Sequence, residues 1–281
     1  MPSFDSPKPI SATVTLRVGT LRITAGDRTN TVVDVRPSSA TQDADVKAAE
    51  RTRVEFANGK LLVKGPKDRP MFGKGPSVDV DIVLPTGSGV HATTVMAHVS
   101  AEGGLGDCEI KTSAGDIQVE RTAAARLTTG YGDISLGRAD GQVDVSTSSG
   151  EVRVGEAKGT VDIKNSNGII VLGDIEGDVK VKASNGSVTV DRAAADVSVK
   201  TANGAVRLGE VARGETVVEA AAGRIEIGIR EGTAAWLDVR TKAGTVSQAL
   251  EESGPSAPDE PADTLKVHAR TGIGDIKIHR A

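Results

Sequence analysis

The chain is poor in aromatic side chains: one Trp, one Tyr and three Phe make up 2% of its 281 residues. Platforms that stack on sugar rings therefore have little to be built from. A single cysteine, Cys108, excludes an internal disulfide and suits a reducing compartment. No sign of charge dominates. The formal net charge is −4, which removes any bulk electrostatic case for nucleic acid or anionic lipid as partner. No run of about 18 apolar residues occurs, so no helical membrane span is expected. The opening "MPSFDSPKPISATVTL" has no basic segment followed by an apolar one, so no signal peptide is read. Together these absences predict a cytosolic protein.

Glycine is plentiful instead, with 33 residues and no collagen period. It is evenly spaced. Glycines stand at 132, 141, 150, 159, 168, 177 and 186, Ala195 takes the next place, and Gly204 resumes the nine-residue step. The second and fourth residues after each are apolar, as in Val161 and Ile163, Ile170 and Leu172, Val179 and Val181, Val188 and Val190, or Val197 and Val199. Short β-branched alternation bounded by glycine is a strand signal. Alternate steps differ. Half carry a second glycine (Gly137, Gly155, Gly173, Gly209), and the others read like "GDVKVKASN". The unit is therefore eighteen residues and two strands. Such a unit cannot bury its own valines, but stacked copies can.

The expected fold is all-β: a single-stranded parallel β-helix or β-solenoid with two strands per coil. Parallel crossovers favour a right-handed turn. Two other folds fail the spacing. A hexapeptide helix needs an apolar residue every six, yet six-residue steps from Val161 reach Asn167 and Gly173. A calcium roll needs Asp in every turn, and these turns carry Ser, Ala and Asn.

Residues 1–90 keep strands without the strict period and are expected to form an N-terminal β-rich cap. Residues 91–281 form the repeat domain, with a mobile acidic, proline-rich loop at 250–263 before a last coil that closes the chain. Within the cap, Asn58-Gly59 predicts a hairpin, and a short helix is expected to begin near Asp43.

The repeated [Thr/Asn]-x-x-Gly-x-Val-x-Val phrases, the irregular β-rich N-terminus and the closing "RTGIGDIKIHR" resemble a bacterial family known as "putative adhesins". These are β-strand-repeat proteins of the domain-of-unknown-function type, common in actinobacteria. The resemblance covers nearly the whole chain. It implies a parallel β-solenoid, no catalytic residues, surface exposure and, in some members, a link to cell-envelope stress. No leader is read in the opening residues, and in that expectation this chain departs from the pattern.

Several residue groups invite chemistry. Asn167, Asn185 and Asn203 should stack as an amide ladder. Lys164, Lys182 and Lys200 should form a column, with Asp162 and Asp178 nearby to neutralise it. Asp116, Asp133 and Glu151 follow corner glycines, where a β-helix hydrolase would place an acid and a base. Ile169, Ser187 and Ala205 interrupt that row. His91, His98, His268 and His279 lack ligand partners at metal spacing, and Cys108 falls on an inward position. No catalytic, cofactor or metal site is therefore expected. The stretch "GPKDRPMFGKGP" at 65–76 places Met71 and Phe72 among Lys67, Arg69 and Lys74. It is read as a partner-binding loop, or as a plug in which Phe72 covers the first coil. The favoured function is a non-enzymatic binding or scaffolding module for a protein partner, expected as a monomer. A polymer assembled end to end and a carbohydrate-active enzyme are the alternatives.

Overall fold

A computed structural model describes residues 2–66, 75–249 and 263–281. The chain forms two compact units. Unit 1 comprises residues 1–140 with 145–147, and unit 2 comprises 141–144 with 148–281.

Unit 2 carries the regular repeat. Val161–Asn167, Val179–Asn185 and Val197–Asn203 pair in parallel, residue for residue, eighteen apart. Val152–Ala157, Ile170–Ile175, Val188–Ala193 and Val206–Val211 do the same in a second sheet. Inward Val, Ile and Leu from both sheets form the core; Ile163, Ile170, Leu172, Val181, Val188 and Val199 are fully buried. Each contributes roughly 1.5–3 kcal/mol of transfer free energy. The residue inserted before Gly214 shows in the registers, because Val197 lies beside Thr216, nineteen residues on.

The two glycine series do different jobs. Gly168, Gly186 and Gly204 adopt φ of +140°, +131° and +148°, and a Cβ on any of them would lie 2.0 Å from the carbonyl oxygen of the corner glycine one coil back. Gly159 and Gly177 are not in the left-handed region. Ala195 occupies that second series, where no left-handed strain opposes a side chain, although a Cβ at Gly159 or Gly177 would meet the corner glycine one coil back at 2.5 Å.

At several corners the polar side chain three residues before the left-handed glycine donates to the corner carbonyl of the neighbouring coil. In unit 2, Asn165 Nδ2 donates to Gly150 O at 3.0 Å, Thr271 Oγ1 to Gly223 O at 3.1 Å and Thr241 Oγ1 to Gly274 O at 2.9 Å. In unit 1, Thr129 Oγ1 donates to Gly115 O at 3.0 Å. At these corners the Thr/Asn of the repeated phrase acts as a bolt on a carbonyl; Thr147 and Thr201 hold the same place without a hydrogen-bond partner, and Ala183 and Ala220 replace it in two coils.

The end of unit 2 departs from sequence order. The strands Thr264–Ile273 and Ile276–Arg280 pair with Gly214–Ala222 and Ile225–Ile229. Ala234–Ala243 and Val246–Ala249 lie outside them. The final segment is thus the penultimate coil, and it does not close the stack as sequence order suggests. Gln248 stands beside Ile278 on the inward face. A glutamine there is tolerable only where the coil is open to water, so the more apolar segment takes the covered place.

Unit 1 continues the same two-sheet plan through its parallel strands. Ser11–Thr15 lies between Lys60–Lys64 and Gly89–Thr93, and Val18–Gly26 lies between Ser77–Pro85 and Met96–Leu105. Its outermost pairings are antiparallel. Asn30–Pro37 joins Ser77–Pro85 and carries Ser3–Asp5, while Arg53–Ala57 folds back on Lys60–Lys64. That hairpin turns at Asn58 and Gly59, with φ of 51° and 70°, as the sequence predicts. The expected helix spans Asp43–Glu50, and its buried Asp45 accepts the Ser77 N–H at 2.8 Å. Phe4 and Phe56 stack at 5.0 Å across the two outermost strands.

Candidate functional site

The described surface of unit 2 carries one conspicuous feature. Strand alternation points Trp236, Asp238 and Arg240 outward from Ala234–Ala243, while Leu237 and Val239 point inward. The register sets Trp236 beside Lys266, and Lys266 beside Glu215. One step along, Asp238 lies beside His268. Trp236 is 57% exposed. Its ring meets His268 edge-on, with centroids 5.3 Å apart. His268 Nδ1 lies 3.6 Å from Asp238 Oδ2, and its Nε2 lies 3.6 Å from Glu215 Oε1. Arg240 Nε and Arg270 Nη2 approach Asp238 at 2.9 and 3.2 Å. An open depression of about 690 Å³ adjoins the indole, lined by Glu215, Thr264, Leu265, Lys266 and His268. An apolar ring with cations and carboxylates around it suits contact with a partner surface.

The Arg270 hydrogen bond holds the Asp238 carboxyl below its ordinary value of 3.8, against the opposing effect of its burial, with Arg240 helping. Arg192 does the same for Asp174, and the N–H and hydroxyl of Thr245 do it for Asp275. A carboxyl whose folded pKa is depressed stabilises the fold above its unfolded pKa and loses that contribution as pH falls through the folded one. Unfolding midpoints are therefore expected to hold steady at neutral pH and to drop below about pH 4. The drop should shrink in high salt because these pairs are exposed. A midpoint that rises on acidification would refute the assignment.

The residues singled out in the sequence are placed as follows. Lys67, Arg69, Met71, Phe72 and Lys74 lie outside the described residues, as does the 250–262 segment. The amide ladder is present: Asn185 Nδ2 donates to Asn167 Oδ1 at 2.9 Å, and Asn203 Nδ2 to Asn185 Oδ1 at 3.1 Å. Lys164, Lys182 and Lys200 do align. The neutralising partners differ from those expected: Lys200 Nζ reaches Glu219 at 2.9 Å, and Asp162 lies 4.0 Å from Lys180. Asp178 Oδ1 instead receives the Asp196 N–H at 3.4 Å, bracing a turn.

The acidic row is likewise structural. In unit 1, Asp116 Oδ1 accepts the Asp133 N–H at 2.9 Å. In unit 2, Glu151 pairs with Arg153. Cys108 is buried, and burial pushes its thiol up to about 12, so it is a core side chain and a poor nucleophile. All four histidines have carboxylate neighbours: His91 with Glu109, His98 with Asp116, His268 with Glu215 and Asp238, and His279 with Glu226. Among the described residues no group of three His, Cys, Asp or Glu could hold a metal ion. No described helix is long and apolar enough to cross a membrane. Sequence reasoning missed the Trp236 face. The alternation Ala235, Leu237, Val239 was the available signal, since it turns the tryptophan between them outward.

Coils of two strands, bolted at glycine corners and paired in parallel, define a β-solenoid class of protein whose repeated residues serve structure. The chain belongs to the Toastrack DUF4097 family, whose profile matches residues 13–211, more than half its length. Solved structures similar to it include a "putative adhesin" from Bacteroides fragilis, 14% identical, covering 99% of this chain and 95% of that one at a TM-score of 0.35. Another "putative adhesin", from Parabacteroides merdae, is 12% identical, covering 98% and 94% at 0.34. A "putative cell adhesion protein" from Clostridium sporogenes is 11% identical, covering 100% and 98% at 0.22. No curated protein matches the chain.

Proposed function

We propose that the protein is a non-enzymatic, adhesin-like binding module that engages a protein partner through the Trp236 face. The observation that carries this reading is the exposed indole beside the depression of about 690 Å³. A tryptophan buries up to about 250 Å² on docking and is among the commonest anchors of protein interfaces. Leaving it in water is unfavourable unless something covers it. The strand beneath is hydrogen-bonded to its inner neighbour, so the ring is presented on a rigid base. The carboxylates that an enzyme would need are committed to turns and ion pairs, which supports binding over hydrolysis.

The test is photo-crosslinking in the native host. A photoreactive residue at Lys266, which lines the depression, is compared with one at Lys182, on an outward column elsewhere in unit 2. A discrete crosslinked partner is expected from position 266 and not from 182. Trp236→Ala should reduce its yield about tenfold or more, as loss of an interface anchor does. Equal labelling from both positions, or a yield indifferent to Trp236, would refute the reading.

A further inference from the structure

We infer that two copies of the chain pair through the outermost strand of unit 2, with Ala234–Ala243 running antiparallel to its own copy about a two-fold axis at Val239. The strand edge carries this inference, and Trp236 enters it only as one of the cross-strand pairs.

The first observation is the edge itself. Among the described residues, Ala234–Ala243 has a strand neighbour on one side only, Thr264–Ile273. The Ala234 N–H donates to the Asp263 carbonyl at 2.9 Å. Backbone groups alternate along a strand, so those of Ala235, Leu237, Val239 and Thr241 face away from the sheet. An edge of ten residues with no glycine or proline is a template for a further strand. Unit 1 ends instead on strands of three and five residues, Ser3–Asp5 and Arg53–Ala57, joined by the stacked Phe4 and Phe56.

The second observation is the uncovered interior. Val267 and Ala269 are at 0% exposure, yet Leu237 and Val239, beside them in register, are only half-buried. Ile276 is likewise closed, while Val246 beside it is 42% exposed. Among the described residues, nothing forms over the inward side chains of the last coil the next layer that the inner coils have.

The third observation names the occupant. With the axis at Val239, residues whose numbers sum to 478 face each other. Asp238 then meets Arg240 of the second copy, twice. Trp236 meets Lys242, twice, and Leu237 meets Thr241. Opposite charges and a cation on an aromatic face are favourable cross-strand pairs. Val239 is also one of the residues whose N–H and carbonyl face outward, so it forms a doubly hydrogen-bonded pair with itself. Moving the axis to Thr241 sets Arg240 against Lys242. Moving it to Leu237 loses the Asp–Arg pairs and shortens the overlap. The strand is complementary to itself in one register. Because each copy uses the same edge, the assembly closes at two and does not grow into a filament.

The experiment is sedimentation velocity on the full chain across concentration. The expected species is twice the 28.8 kDa of one chain. Val239→Pro removes an outward N–H that bonds nothing within the monomer's own sheet, as edge strands tolerate. It should weaken the dimer about tenfold or more with little change in melting. Val239→Cys supplies an independent readout, since Cys108 is buried. Oxidation should crosslink Val239→Cys to itself. Leu237→Cys should not self-couple, but should couple to Thr241→Cys when the two are mixed. A monomer at every concentration, an unaffected dimer in Val239→Pro, growth into longer polymers, or self-crosslinking at 237 would each overturn the proposal. If Val239→Pro fails to fold, the cysteine pattern decides alone.

Discussion

Val181→Asp is expected to abolish the cooperative unfolding transition of unit 2. Val181 is at 0% exposure, between Ile163 and Val199 on the neighbouring coils, both also buried. Its neighbours in register, Ile163 and Val199, and those along its own inward face, Val179 and Ala183, are all apolar, so an aspartate there has no cation beside it. An uncompensated buried charge costs several kcal/mol even after the group protonates or the coil relaxes. That is a large share of the roughly 5–15 kcal/mol by which a domain is stable. Lys182→Asp, one residue on and outward, is the control. It removes a like charge from the lysine column and should shift the midpoint by less than about 0.5 kcal/mol. Thermal and urea unfolding of the three proteins decide the matter. A Val181→Asp protein that melts like the wild type would refute the inward assignment, and with it the two-sheet core.

Much of this architecture was legible because the repeat imposes one physical requirement many times. A side chain at Val161 meets its own equivalents at Val179 and Val197, so the strand period, the parallel pairing and the Asn167–Asn185–Asn203 ladder all follow from the spacing. The antiparallel pairing of Asn30–Pro37 with Ser77–Pro85 was not legible. Those segments meet across a long sequence separation that no period encodes. The order of the last two coils was hidden for another reason. Leu265, Val267 and Ala269 offer nearly the same inward pattern as Ala235, Leu237 and Val239. Either segment suits the inner place locally, and only Gln248 against Ile278 separates them. The Trp236 face was missed because its members come from three strands far apart in sequence: Glu215, Trp236 with Asp238, and Lys266 with His268.

The corner glycines allow conformational strain and close approach to be weighed separately. Gly186 has φ +131°, and a Cβ there would sit 2.0 Å from the Gly168 carbonyl oxygen. Gly232 has φ +79° with nothing within 4 Å of its Cβ position. Gly26 has no left-handed φ and nothing within 4 Å. Alanine at Gly26 should be neutral or stabilising by up to about 1 kcal/mol, since it restricts the unfolded chain. Alanine at Gly232 should cost about 1–2 kcal/mol, the strain of a left-handed conformation alone. Gly186→Ala should cost about 3 kcal/mol or more, because it adds to that strain a clash with backbone. That backbone belongs to a coil fixed on both sides: the Gly168 N–H donates to the Asn185 carbonyl at 3.0 Å, and the Asn167 carbonyl accepts the Gly150 N–H at 3.0 Å. Moving Gly168 away would stretch these bonds and tilt the amide ladder beside them. Denaturant midpoints for the three alanine variants give the ranking directly. If Gly186→Ala costs no more than Gly232→Ala, the carbonyl above the corner can yield, and left-handed φ alone explains that glycine series. If it costs several kcal/mol more, the glycine column is a packing device first. The spacing of coils is then set by how closely one bare Cα can rest on the carbonyl of the last.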